Sequence, residues 1–342
     1  MSLKEIFICA GKGLGDSLKG IYWLYSLDNV QRRAQQERQE FQELSGKQRQ
    51  QQKQQNKPSP RHHHGKEEPR LLNRVMQCCT LNGIVFGLSI VLFKSVLLPV
   101  LETLLSLLST TNSTTSTFWS WLQFLLHLTF DGLWVLPLFL LSRIVNALWF
   151  QDIGSLAYRY SLGRPKTTQS LSTLIADNLF SLIIQALFLV QALLLNYTLP
   201  HLLGGWISAL IFHTHTSLLY SLYSFEYKWV QMGMPLHQRL NYLESNWPYF
   251  IGFGLPLSIL TGYYGDWVVS GCIFAVSFPV FIIAGNEGEV RKWGEASPSG
   301  GGHQEGIRLK LFSLVVWISN GIFKGIGRET SLPEKKIVNK KR

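Results

Sequence analysis

Residues 178–225 read NLFSLIIQALFLVQALLLNYTLPHLLGGWISALIFHTHTSLLYSLYSF, and these 48 consecutive positions hold no Lys, Arg, Asp or Glu. A helix crosses a bilayer with about 20 predominantly apolar residues. This run therefore accommodates two crossings, a third span over about 171–199 and a fourth over 206–225, parted at His201, Gly204 and Gly205. Working outward, further uncharged windows lie at 75–93, 103–130, 245–265 and 267–286, with 19, 28, 21 and 20 positions. Only 15% of the chain is charged, against roughly 25% in soluble domains. The mean hydropathy of +0.10 averages a polar N-terminus with a very apolar middle. The predicted fold class is all-α: a polytopic transmembrane helical bundle of about six membrane segments, with a re-entrant hairpin as an option over 249–285.

The segmentation follows from these windows. Residues 1–27 place Leu3, Phe7, Ala10, Leu14, Leu18, Ile21 and Tyr25 at steps of three and four, the spacing of an amphipathic helix. Gly11, Gly13 and Gly15 weaken it. It either lies on the membrane surface or docks against the bundle. Residues 28–74 form a basic, Gln-rich, partly disordered cytosolic segment. Residues 75–290 form the transmembrane domain, with a first span over 80–108, a second over 118–149, and polar connectors at 151–170 and 226–247. The fifth and sixth runs are 249–264 and 267–285. A run of sixteen residues spans only about 24 Å, less than the ~30 Å hydrocarbon core, so the fifth either crosses incompletely or turns back. A flexible loop over 291–306, an amphipathic or packed helix over 307–326 and a basic tail over 327–342 complete the chain.

Charge sets the sidedness. The formal net charge is +11. Residues 30–75 hold eleven Lys or Arg against five Asp or Glu. The N-terminal segment, the two polar connectors and the tail carry the cations, whereas loops 109–117, 196–205 and 263–266 carry none. Cationic loops stay cytosolic, which predicts both termini in the cytosol. The sequons at Asn112 and Asn196 are candidate glycosylation sites, and both fall in the charge-free, luminal set.

Charges inside spans need partners or a route to water. Lys94, Glu102, Asp131 and Arg143 are the intramembrane polar candidates. Lys94 and Asp131 lie deepest, on antiparallel spans. They are expected to form a helix-locking ion pair, with an anion path lined by Lys94 as the alternative. Arg143 and Glu226 lie near cytosolic ends and are expected to snorkel. Cys78 and Cys79 precede the first span and are palmitoylation candidates, or else small apolar residues of a buried helix. His213 and His215, two apart, sit on different helix faces and read as single polar contacts. His62–His64 lack fixed geometry for a metal. No GxSxG, HExxH or Walker loop is present, and GKGLG at 11–15 follows no strand. The expectation is a chain that is not an enzyme, with no catalytic residues, no cofactor, no metal and no nucleic-acid partner.

Longer motifs carry a resemblance. RVMQCCTLNG at 74–83, VLPLFLLSRIVNALWFQDI at 135–153, SLLYSLYSFEYKW at 217–229, HQRLNYLESNWPYFIGFGLPLSILT at 237–261 and LKLFSLVV at 309–316 resemble the etoposide-induced family of endoplasmic-reticulum membrane proteins. That family is itself distantly similar to bacterial sulfate permeases with partly penetrating helical hairpins. The resemblance implies an endoplasmic-reticulum membrane location, extending to the nuclear envelope. It implies a scaffold acting in autophagy and in stress-induced apoptosis or growth suppression, with anti-apoptotic Bcl proteins as partners. It also implies importin-beta binding through the basic segment, with Arg32, Arg33, Arg38, Lys47 and Arg49 as partner-binding candidates. A topology-setting basic flank is the competing reading of those residues. The alternative functions are a channel or transporter for a small anion such as sulfate, and a regulator of nuclear import.

Overall fold

The computed structural model describes residues 2–53, 70–97, 99–100, 103–104, 121, 124–125, 136–165, 171–265, 267–288 and 309–329. Among them every regular element is helical. The elements are α1 (Leu3–Leu18), α2 (Gly20–Lys53), α3 (Leu71–Cys79), α4 (Ser89–Leu92), α5 (Leu136–Ser161), α6 (Leu171–Leu203), α7 (Gly205–Gln231), α8 (Leu236–Ser245), α9 (Trp247–Gly262), α10 (Trp267–Glu287) and α11 (Ser313–Glu329). Two π-wound stretches, Thr80–Leu88 and Phe93–Leu97, flank α4. Two helical stretches, Leu179–Leu202 and Val269–Glu287, are long and apolar enough to cross a membrane.

The core is where α7, α9 and α10 meet. Leu218, Leu222 and Phe225 of α7 pack against Phe250, Phe253 and Leu257 of α9 and Ile282 of α10, all at 1% exposure or less. Phe225 is the hub. Its ring lies 4.9 Å from that of Phe253 and 5.1 Å from that of Phe250, both edge-on, the geometry aromatic quadrupoles favour. Glycine lets the backbones approach. A Cβ on Gly254 would sit 1.9 Å from the Ser217 carbonyl oxygen, and one on Gly285 would sit 2.9 Å from that of Ser224. Close contact through small residues is how helices associate when hydrocarbon surrounds them.

The outer surface agrees with that setting. Leu182, Leu189, Leu193 and Leu194 of α6 all face outward, an apolar belt that water would not tolerate. Between α6 and α7, Gly204 adopts φ 88°, a left-handed turn closed to most L side chains. Gly204 N-terminally precedes α7 with an extended ψ, so the chain reverses sharply there. At the other end of α7, Gly233 (φ 72°) turns the chain into α8.

Three features depart from the expected segmentation. The 151–170 connector is helical as far as Ser161, because α5 continues past its apolar part with polar side chains such as Gln151 and Arg159 on its exposed side. Residues 196–203 extend α6 rather than forming a loop, and Pro200 is accommodated in the last turn. Helix α3 precedes the expected first span, which opens in π geometry at Thr80 rather than as a regular α-helix. Within the π-wound stretch the Asn82 side-chain amide donates to the Cys78 carbonyl at 2.8 Å.

Candidate functional site

The most tightly built polar cluster ties three helices together at one end of the bundle. Glu226, near the end of α7, receives hydrogen bonds from the Ser181 hydroxyl and the Gln185 side-chain N–H, both on α6. Arg239 of α8 donates from Nη1 to the same carboxylate at 3.3 Å and from Nε to the Met234 carbonyl at 2.7 Å. Gln185 also donates to Ser181 Oγ at 2.9 Å. The Arg239 side chain is 2% exposed and that of Glu226 18%. Burial pulls the Arg239 pKa down from its ordinary value, while the Glu226 and Asp177 charges push it up. A buried ion pair supplied with extra hydrogen bonds holds its geometry, and removing one partner costs about 3–5 kcal/mol. The sequence places Glu226 at a span end and predicts snorkelling. The structure corrects this: α8 folds back, and Arg239 meets the carboxylate inside the protein.

A second cluster joins the π-wound stretch to α5. Asn82 and Asn146 exchange amide hydrogen bonds of 2.7 and 2.9 Å, and the Ser142 hydroxyl donates to Asn82 Oδ1 at 3.0 Å. Both asparagines are buried. Reciprocal pairing satisfies amides where water is excluded.

A third set docks the N-terminal helices. Leu71, at the start of α3, gives its backbone N–H to Gln31 Oε1 at 2.7 Å, and Leu72 gives its own to Asp28 Oδ1 at 3.4 Å. The N-cap residue of α3, Arg70, makes no side-chain cap bond, so α2 supplies the cap from forty residues upstream. The Tyr249 hydroxyl of α9 donates to Asp16 of α1 at 3.0 Å.

The candidates from sequence distribute as follows. Arg32 is bonded to Asp28 at 2.7 Å, so part of its charge is spent within α2. Arg33 and Arg38 are exposed on α2. Lys47 and Arg49 continue the same helix, and their side chains lie outside what is described. Lys94 falls in the second π-wound stretch and Arg143 in α5, again with side chains outside the described set. Glu102, Asn112 and Asp131 lie outside the described residues, and so does the expected Lys94–Asp131 pair. Asn196 is exposed on α6, and Thr198 of its sequon donates its hydroxyl to the Leu194 carbonyl at 2.8 Å. Cys78 is wholly buried against Asn146 and Ala275, and Cys79 lies partly buried beside the Val276 carbonyl. The apolar-residue reading suits Cys78 better than acylation, because its sulfur faces α5 and α10.

The histidines behave as separate contacts. His213 Nδ1 lies 2.9 Å from Ser258 Oγ, and His215 Nδ1 lies 2.9 Å from the Ile211 carbonyl while its ring stacks on Phe188. Among the described residues no group of three or more His, Cys, Asp or Glu is placed to hold a metal. Sequence reasoning missed the Glu226–Arg239 lock and the Asn82–Asn146 pair. The available signal was polar residues recurring inside otherwise apolar helices: Ser181 and Gln185 four apart on α6, and Ser142 and Asn146 four apart on α5.

Comparison with known proteins adds a family. Residues 66–263 match the family described as Sulfate transporter CysZ/Etoposide-induced protein 2.4. The chain is 38% identical to Ectopic P granules protein 4 of Caenorhabditis elegans over 149 residues, 44% of this chain and 46% of that protein. It is 27% identical to Protein EI24 homolog of Arabidopsis thaliana over 63% of this chain and 74% of the relative. It is 25% identical to Protein EI24 homolog of Dictyostelium discoideum, over 62% and 64% respectively. The match thus spans less than half the length of the worm protein. No solved structure matches the chain.

Proposed function

The chain belongs to the Sulfate transporter CysZ/Etoposide-induced protein 2.4 family of membrane proteins, and from that premise we propose that it acts non-enzymatically, as a scaffold of the endoplasmic-reticulum membrane in autophagy and stress-induced growth control. The observation that carries this reading is how the buried polar groups are used. Glu226, Arg239, Ser181 and Gln185 bond to one another across three helices, and Asn82 and Asn146 bond across two more. Groups satisfied in this way fix the relative positions of helices, which a platform for other proteins requires. The worm relative's name, Ectopic P granules protein 4, supports a role connected with cellular granules. In this reading the chain crosses about six times. The basic stretch from Arg32 to Arg49 and the C-terminal tail face the cytosol, where α2 offers Arg33 and Arg38 to acidic partners. Importin-beta and anti-apoptotic Bcl proteins are the partners proposed for that helix.

The test is complementation in cells lacking the gene. Turnover of autophagic cargo should fall, recover with the wild-type chain, and recover poorly with Arg239→Met at equal membrane abundance. Normal turnover in the null cells removes the proposal. For α2, capture of purified importin-beta should drop when Arg33 and Arg38 are both changed to Glu. Equal capture by both forms counts against that partner.

Passage of a small anion is the second reading. It is favoured by the sulfate-transporter description of the family and by Lys94 lying in a π-wound stretch, a winding found often at functional sites. Proteoliposomes should then show sulfate uptake that Lys94→Ala diminishes. Uptake equal to that of empty liposomes ends this reading.

A further inference from the structure

Helix α1 has the polarity of a water-bathed helix turned inside out. Toward the bundle it presents Gly13, Asp16 and Ser17, all buried. Away from the bundle it presents Leu3, Phe7, Ile8, Leu14 and Leu18, and Ile21, Tyr22 and Tyr25 carry the exposed apolar surface onto α2. The apolar stripe read from sequence is therefore real, but it is not the docking face. In water a helix buries its large apolar residues and exposes its polar ones. Small residues inward and large apolar residues outward is the arrangement of a helix bathed in hydrocarbon.

Its depth is fixed by α9. Among the described residues the α1–α9 pairing is the most extensive between helices, and it is made backbone to backbone. A Cβ on Gly13 would lie 2.0 Å from the Tyr249 carbonyl oxygen, and one on Gly252 would lie 2.0 Å from that of Ala10. Helix α9 has no charged residue from Trp247 to Gly262, and its outward Ile259 and Leu260 are exposed. Whatever medium covers those residues also covers α1 alongside them.

Its direction is fixed at one end. Asp16 bonds to Tyr249, at the start of α9. Gly20 abuts Val280 and Ala284, and Gly288 abuts Tyr249. The C-terminal end of α1 therefore shares a level with the start of α9 and the end of α10, so α1 runs antiparallel to α9. From Asp16 back to Leu3 the helix climbs ~20 Å at 1.5 Å per residue, most of the way through a ~30 Å hydrocarbon core.

We propose that α1 is a bilayer-inserted helix whose outer partner is lipid acyl chains, and that its Leu3 end lies inside the membrane on the side remote from Lys19. The basic stretch from Arg32 onward stays in the cytosol, and the expectation of a cytosolic position gives way only for the first helix. Lys19 remains at the cytosolic interface, paired with Asp16 at 3.5 Å. Lys4 and Lys12 are exposed and extend along the apolar surface toward the nearer headgroups. The inference needs the bundle to lie in a membrane. It does not depend on a role in autophagy, transport or partner binding.

The test uses the full-length chain in phosphatidylcholine proteoliposomes, with a photoreactive benzoylphenylalanine in place of Phe7, Leu14 or Phe41. Phe41, 72% exposed on α2, is the water-side control. Lipid adducts from positions 7 and 14 should exceed those from 41 about tenfold. Equal adduct yields at all three positions overturn the proposal. In a second arm, a membrane-impermeant maleimide is applied to cytosol-out microsomes. It should label Lys19→Cys at least tenfold faster than Leu3→Cys in a chain whose four native cysteines are replaced by Ala, and equal rates overturn the insertion. If the cysteine-free chain does not fold, the photochemical arm decides alone, since it keeps every native cysteine.

Discussion

Adding one methyl group at Gly252 should unseat α1. In Gly252→Ala the new Cβ would lie 2.0 Å from the Ala10 carbonyl oxygen, 2.7 Å from its carbonyl carbon and 2.8 Å from its Cα. All three are backbone atoms, so no side chain can swing aside. Restoring a separation of about 3.4 Å demands a shift of about 1.4 Å between the two helices, and overpacking of this kind costs about 1–3 kcal/mol. The shift also threatens the Tyr249–Asp16 hydrogen bond, and bonds to charged groups contribute about 1.5–3 kcal/mol. Together these give an expected loss of about 3 kcal/mol, a change of roughly 150-fold in the opening equilibrium of α1. The assay is limited proteolysis in detergent at the α1–α2 junction, where trypsin cuts after Lys19 once α1 lifts away, alongside the thermal midpoint. Gly11→Ala and Gly15→Ala are the controls, because a Cβ there meets nothing within 4 Å. Both should be neutral or slightly stabilising, as Ala favours a helix over Gly by ~1 kcal/mol. If Gly252→Ala and Gly11→Ala are cleaved at the same rate, the backbone contact described here is wrong.

Other consequences are testable in the same material. Arg239→Met should lower stability by about 3–5 kcal/mol by leaving Glu226 buried without its cation; the double variant Glu226→Leu/Arg239→Met should regain much of the loss, and a double variant worse than the sum of the singles contradicts the lock. Asn82→Leu should cost about 1–3 kcal/mol because Asn146 loses its partner, with recovery in Asn82→Leu/Asn146→Leu; the thermal midpoint in detergent reads both. Asp28→Ala should weaken the start of α3 by about 1 kcal/mol, the usual value of a lost cap. Faster amide exchange at Leu72 and unchanged exchange in α7 would be its signature.

The sequence discloses this molecule unevenly. The helical class and the apolar windows are plain in the charge-free run at 178–225, because hydrocarbon leaves a mark on every residue of a span. The Glu226–Arg239 lock is hidden: thirteen residues and a reversal at Gly233 separate the partners, and periodicity carries no information about how a connector folds back. The stripe Leu3–Phe7–Leu14–Leu18 is visible, but a periodic pattern fixes which residues share a face and leaves open which medium the face meets. The glycines of α1 read as weaknesses when helix propensity is the only consideration. Of these, Gly13 has a packing role, which appears only with the opposing backbone of α9. The π winding at Thr80–Leu88 and Phe93–Leu97 is announced by no composition rule.

The two bonds by which Gln31 and Asp28 hold the first peptides of α3 join α2 to α3 through side chains as well as through the covalent chain. A load placed on the outer turns of α2 reaches α3 directly through those side chains, as through an arm clamped at its inner end. Lengthening or shortening residues 54–69 should leave that coupling intact, whereas severing the clamp would let the arm swing while the bundle beneath it stood unchanged.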